Sequence, residues 1–140
     1  MFDNILLAVD GSEHGLHAAR VAGDLARATK AQTLRMIVVY DALPSNLGEP
    51  NLSQAIASRQ QEAQDIVDHS TKEVGEIPGE IHTEIIEGQI ADKIVDVASI
   101  RNSDVIVMGS RGRTGLASAL LGSNSQKVVS QAPCPVLIVR

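Results

Sequence analysis

A single doubly wound α/β domain, with a parallel sheet and helices on both faces, is the fold this sequence predicts. Three observations carry the reading. The chain has 140 residues, the size of one domain. Its apolar residues gather in short, nearly unbroken, β-branched runs, which suit strands buried on both faces. Between those runs lie longer segments whose apolar residues recur at helical spacing. Strict alternation of the two patterns implies right-handed crossovers and a parallel sheet.

The first strand is read at ILLAV, Ile5 to Val9. After it, Leu16, Ala19, Ala22, Gly23 and Ala26 form a helical stripe, with Ser12 as N-cap and Glu13 well placed in the first turn. MIVVY, Met36 to Tyr40, is the second strand. A Pro/Gly-bearing loop, Asp41 to Asn51, follows and is too short to divide domains. The second helix runs from Ser53 to Val74, with a stripe through Ala63, Ile66, Val67, Ser70 and Val74. EIHTEIIEG, Glu80 to Gly88, mixes charge into an apolar run and is expected at a sheet edge. A third helix covers Ile90 to Arg101, with Ile90, Ile94, Val97 and Ala98 on one face. VIVM, Val105 to Met108, is the fourth strand. The last helix starts near Ser123, where SNSQ reads as a capping box with Ser123 as N-cap and Gln126 three residues on. VLIV, Val136 to Val139, is the final strand.

Composition narrows the function. Hydrophobic residues make up 44% and charged residues 21%, the balance of a globular protein. One Tyr, one Phe and no Trp leave an aliphatic core and no platform for stacking bases. The net charge is -5 with no basic cluster, which argues against nucleic acid as a partner. No apolar run nears the roughly 20 residues of a membrane span, and the N-terminus lacks the basic region of a signal peptide. A cytoplasmic protein is expected. Cys134, the single cysteine, lies between two prolines and reads as a small buried residue rather than a reactive thiol.

In an open α/β sheet, ligands bind outside the carboxyl ends of the strands. GSRGRTGLASALLGSNSQ begins at such an end. Gly109 and Gly112 supply backbone freedom and close approach, and the helix opening at Gly122-Ser123 presents unpaired N–H groups at the positive end of its dipole. Ser123 and Ser125 add hydroxyls, and Asn124 an amide. Together these form an anion site suited to phosphate. Arg111 and Arg113 read equally well as phosphate contacts or as solvated side chains. The spacing is neither a Walker loop nor the dinucleotide fingerprint.

The spacing G-x2-G-x9-G-S at Gly109, Gly112, Gly122 and Ser123 resembles the nucleotide-binding motif of the ATP-binding branch of the universal stress protein family. The resemblance extends over the chain, through ILLAVDGSEHG, DVIVMGSRGRTG and APCPVLIVR. It implies a Rossmann-like sheet of the adenine-nucleotide alpha-hydrolase kind, with five strands in the order 3-2-1-4-5, and a dimeric stress-response regulator. It implies Ala8, Val9 and Asp10 near the base and ribose, and Val39 against adenine. Met108, Gly109, Gly112, Gly122, Ser123, Asn124 and Ser125 would surround the ribose and phosphates, with the loop from Ser110 to Ser118 lying over the nucleotide. Relatives often have Ser-Val or Ser-Thr where this chain has Ser123-Asn124, but the main-chain N–H is present in either case. ATP is the expected cofactor, with Mg²⁺ held mainly through its phosphates, and the expected homodimer pairs Val136 to Val139 of two copies.

Asp10 has two readings, a ligand for ribose hydroxyls or a Mg²⁺ water, and a cap for the following helix. His14 and His17 read as exposed helix residues, since no third ligand accompanies them. No nucleophile-base-orienter set appears and no histidine is expected in the site, so a binding module is expected rather than an enzyme. Two rival readings share the fold. One is an interaction protein that uses no nucleotide, against which the glycine motif stands. The other is a slow ATPase or nucleotidyl-transfer enzyme, against which the missing acid-base set stands.

Overall fold

The computed structural model describes residues 1–44, 46–111 and 121–140. Strand and helix alternate through β1 (Asn4–Ala8), α1 (Glu13–Thr29), β2 (Thr33–Tyr40), α2 (Asn51–Val74), β3 (Glu80–Glu87), α3 (Ile90–Ile100), β4 (Val105–Gly109), α4 (Ser123–Gln131) and β5 (Val136–Val139). The five strands form one sheet in the order β3-β2-β1-β4-β5, all pairs parallel. The charged run at Glu80 is therefore an edge strand, as its composition predicts.

Successive strand side chains point to opposite faces, and the two cores divide accordingly. Ile5, Leu7, Leu34, Met36, Val38, Val105 and Val107 pack against α1 and α2. Leu6, Ile37, Val39, Ile106 and Met108 pack against α3 and α4. Each fully buried aliphatic side chain contributes about 1.5–3 kcal/mol. Cys134 is half-buried against the second core, where burial, and then the Asp104 carboxylate, push its thiol pKa up. Among the described residues no helix is long and apolar enough to cross a membrane.

Two strands begin earlier than their apolar runs, because polar side chains at their starts bind across the sheet. Thr33 Oγ1 donates to Asn4 Oδ1 at 2.9 Å, opposite it in register. Arg35 of β2 bonds Glu84 of β3 at 2.6 Å. Asp104, just before β4, accepts from the N–H groups of Asp3 and Asn4 at 2.9 and 2.8 Å, which fixes β1 against β4. α2 starts at Asn51, two residues before the expected Ser53, with Pro50 at its N-cap position.

α1 presents Ala18, Ala19, Ala22, Gly23 and Ala26 inward. This small-residue face lets two backbones approach closely. A Cβ at Gly23 would lie 2.2 Å from the Val74 carbonyl oxygen at the end of α2, well inside contact distance. Alanine is the better helix former by about 1 kcal/mol, yet Gly23→Ala is expected to destabilise the protein by about 1–3 kcal/mol, because α1 and α2 must separate. Urea denaturation checks this, and a midpoint equal to or above the parent's contradicts the packing argument.

Candidate functional site

The chain turns from β1 towards β2 and β3, then crosses to β4 and β5 on the other side. The carboxyl ends of β1, β2 and β4 therefore open onto a common crevice. A cavity of about 160 Å³ lies there, lined by Ala8, Val9, Asp10, Gly15, Ile37, Val39, Ile90, Ile94, Met108, Gly109, Arg111, Gly122, Ser123, Asn124 and Ser125. It adjoins a more open lobe of about 460 Å³ through Asp10, Val39, Ile90 and Asn124, walled by Tyr40, Asp41, Arg59, Glu62 and Ile66. Gly112 and Arg113, and with them residues 112–118 of the expected Ser110 to Ser118 loop, lie outside the described residues. The other candidates from the sequence all line this one cleft.

The cleft has an apolar pole and a polar pole. Ile37, Val39 and Met108 from the strands meet Ile90 and Ile94 of α3 at the apolar pole. The sequence reading placed Ile90 and Ile94 on a helix face but not in the site. They belong there because the first turn of α3 overhangs the strand ends. Val9 N–H donates to the Ile37 carbonyl at 3.1 Å. Val39, two residues on, turns its own N–H and C=O the same way, beyond Ala8, the last β1 residue in register.

The polar pole is the start of α4, where the cap differs from expectation. Gly122, not Ser123, is the N-cap residue, with φ -64° and ψ 161°, and no side chain caps the helix. Its N–H donates to the Ser110 carbonyl at 2.8 Å, and its carbonyl accepts from Gln126 N–H at 3.0 Å. The Gln126 amide reaches the Leu121 carbonyl at 3.0 Å, so the capping box does not form. Ser125 is also committed, since its hydroxyl donates to the Gly109 carbonyl at 2.9 Å and lies 3.3 Å from that of Ser110. Ser125 therefore offers a ligand its main-chain N–H rather than its hydroxyl. The N–H groups of Ser123, Asn124 and Ser125 lie before the first intrahelical bond and have no partner within the helix.

The glycines here serve different ends from those expected. Gly109 is absent from the positive-φ positions. A Cβ there would lie 2.9 Å from His14 C and Cβ, so the first turn of α1 excludes a side chain. Gly11 does use the left-handed region, at φ 85°, to turn the chain from β1 into α1. Beside it, Asp10 Oδ1 accepts from Ser12 N–H at 3.0 Å and from Ser12 Oγ at 2.6 Å, while Ser12 Oγ caps Gly15 N–H at 3.0 Å. Asp10 thus supports the α1 cap, and its carboxylate still lines both lobes.

His14 corrects a further expectation. It is half-buried rather than exposed, and its Nδ1 lies 2.7 Å from Ser110 Oγ beside the polar pole. No local pattern signals this contact, because His14 meets Ser110 only through the β1–β4 pairing. His17 is exposed and its Nδ1 bonds the Arg140 carbonyl. Among the described residues, no three His, Cys, Asp or Glu side chains converge to hold a metal.

Known proteins share this architecture along its whole length. The family model for the universal stress protein family matches residues 1–140. The Thermus aquaticus protein named "Universal stress protein in QAH/OAS sulfhydrylase 3'region" is 41% identical over the full length of both chains. The structure of universal stress protein UspA from Lactobacillus plantarum superposes with a TM-score of 0.87 at 29% identity, covering 99% of this chain and 98% of that one. A universal stress protein solved in complex with cAMP shares the fold, with a TM-score of 0.71 at 23% identity and coverage of 99% and 97%. Family model, close relative and shared sheet order agree, and the chain belongs to the universal stress protein family.

Proposed function

We propose that the cleft binds ATP and that the protein is a dimeric regulator whose nucleotide-bound state controls its interactions, rather than an enzyme. The observation that carries this reading is the two-pole cleft, with an aliphatic slot at the ends of β1 and β2 facing the uncapped N-terminus of α4. Adenine suits the slot. The N–H and C=O of Val39 match its adjacent ring-nitrogen acceptor and amino donor, whereas guanine would set its O6 acceptor against that carbonyl. The N–H groups of Ser123, Asn124 and Ser125, in the field of the helix dipole, suit the phosphates. Asp10 lies between the two poles, within reach of a ribose.

A β-branched residue at position 122 separates site from scaffold. A Cβ on Gly122 meets nothing nearer than 3.5 Å, and its extended backbone suits valine. Losing glycine at the cap costs about 1 kcal/mol of stability, but the isopropyl group occupies the polar pole. Gly122→Val is expected to remain folded and to bind ATP at least about tenfold more weakly by isothermal titration calorimetry. Undiminished affinity in a folded variant contradicts the phosphate assignment, and tighter binding of cAMP than of ATP by the parent contradicts the triphosphate reading.

Mg²⁺ in this reading travels with the phosphates, because the cleft supplies no cluster of ligating side chains among the described residues. ATP affinity measured with Mg²⁺ is therefore expected to exceed that measured in EDTA several-fold. Equal affinity in the two buffers would tell against it.

The dimer in this reading forms on β5, at the edge of the sheet with no described strand beyond it. Leu137 is 38% exposed, and an apolar edge without proline or lysine invites a further strand. A second copy, antiparallel about a two-fold axis, satisfies both the free backbone groups and the apolar surface. By sedimentation at micromolar concentration the parent is expected to be a dimer and Leu137→Asp a monomer. A soluble monomeric parent rules the arrangement out.

A further inference from the structure

Arg59, in the third turn of α2, holds the end of β2. Its Nη1 donates to the Asp41 carbonyl at 2.9 Å. Its guanidinium carbon stands 5.1 Å from the centre of the Tyr40 ring, within the range of a cation–π contact. Arg59 and Tyr40 are both half-buried, and both wall the open lobe together with Val39 and Asp41. One side chain thus grips two consecutive residues by different means, the main chain of one and the ring face of the other.

Along the edge of β2 that faces β1, main-chain groups come from every second residue. The Ile37 carbonyl accepts from Val9 N–H at 3.1 Å, and the pairing with β1 ends at Ala8 opposite Ile37. Val39 is the next residue on that edge, beyond β1 and lining both lobes. Tyr40 is turned the other way, and its carbonyl accepts from Gly88 N–H at 2.9 Å. Asp41 follows the last residue of the strand and has no partner in the ladder with β3. Its carbonyl is the one that Arg59 takes. Two residues to either side of Val39, then, the carbonyls of Ile37 and Asp41 are engaged, one by β1 and the other by α2.

We infer that Arg59 is a positioning residue for base selection, which fixes the end of β2 so that Val39 presents its N–H and C=O to the base in one register. The inference rests on the adenine reading above. A strand end without a neighbouring strand frays readily, and Arg59 stands in for that neighbour at Asp41. Guanine is turned away only while the Val39 carbonyl stays aimed at its O6, so discrimination depends on how firmly this strand end is held. The phosphate pole is built on α4 and does not share the dependence.

Calorimetric titrations of ATP and of GTP into the parent, Arg59→Met and Arg59→Lys form the test, with amide exchange over residues 38–44 of each ligand-free protein followed by mass spectrometry. Methionine keeps an apolar stem and good helix propensity but supplies neither donor nor charge. Lysine keeps both, and an ammonium can replace a contact made by one hydrogen bond rather than a fork. Arg59→Met is expected to weaken ATP about fivefold and to move GTP by less than about twofold, which narrows the preference for ATP. Arg59→Lys is expected to return ATP to within about twofold of the parent. Exchange at the end of β2 quickens in the methionine variant and not in the lysine variant. An unchanged preference for ATP over GTP in Arg59→Met overturns the inference, whether both affinities hold or both fall together. So does unchanged exchange, or a lysine variant no better than the methionine one. A parent that binds ATP and GTP equally defeats the adenine reading, and one that binds neither defeats the nucleotide reading. Both outcomes are seen before position 59 is altered, which separates them from failure of the inference itself.

Discussion

Parallel strands cannot be joined by tight turns, so every connection in this chain must travel back along a face of the sheet. Handedness then dictates which face. Moving from β1 to β2 to β3 puts α1 and α2 on one side, and the reversal to β4 and β5 puts α3 and α4 on the other. At the reversal the loops after β1 and β4 diverge, and no packing can close the gap between them. The cleft is the geometric residue of that constraint. Its poles follow from what must stand around it, namely strand ends and the first turn of α3 on one side and the start of α4 on the other.

The helices lie close because their faces are made of small residues. With no Trp and a single Phe and Tyr, the core is filled by short aliphatic groups and by backbone approaching backbone. Gly23 against Val74 is one such contact. Gly79 is another, where a Cβ would lie 2.2 Å from the Ala31 carbonyl oxygen. Close approach also serves the site, since Gly109 admits the first turn of α1 and brings His14 to Ser110.

Much of this was legible in the sequence, for identifiable reasons. The strands of the sheet interior are continuous β-branched runs because both faces are buried, and β3 alone carries alternating charge because it lies at an edge. The order of strands was not legible from periodicity, which reports burial and not adjacency, and it entered through the family resemblance. Ser12 was correctly read as a cap because a serine cap is a local event. Ser123 was misread because Gly122 and Ser125 are tied to Ser110 and Gly109, contacts made across the fold. The glycine at 109 suggested backbone freedom, whereas the true cause is a neighbouring helix. Ile90 and Ile94 carry no local mark of the cleft, and His14 none of its contact with Ser110; only the sheet order brings each into place.

The hydroxyl of Ser125 spans the end of β4 and the start of α4, and what the helix start itself presents at that pole, beside the side chains of Arg111, Ser123 and Asn124, is a row of main-chain N–H groups. A surface made of backbone is chemically blind to the side chains attached to it. Positions 123 and 124 are therefore open to drift so long as the helix begins in the same place, and divergence among relatives would register elsewhere, in the residues that fix that beginning. The durable part of the polar pole is the point at which the chain starts to coil.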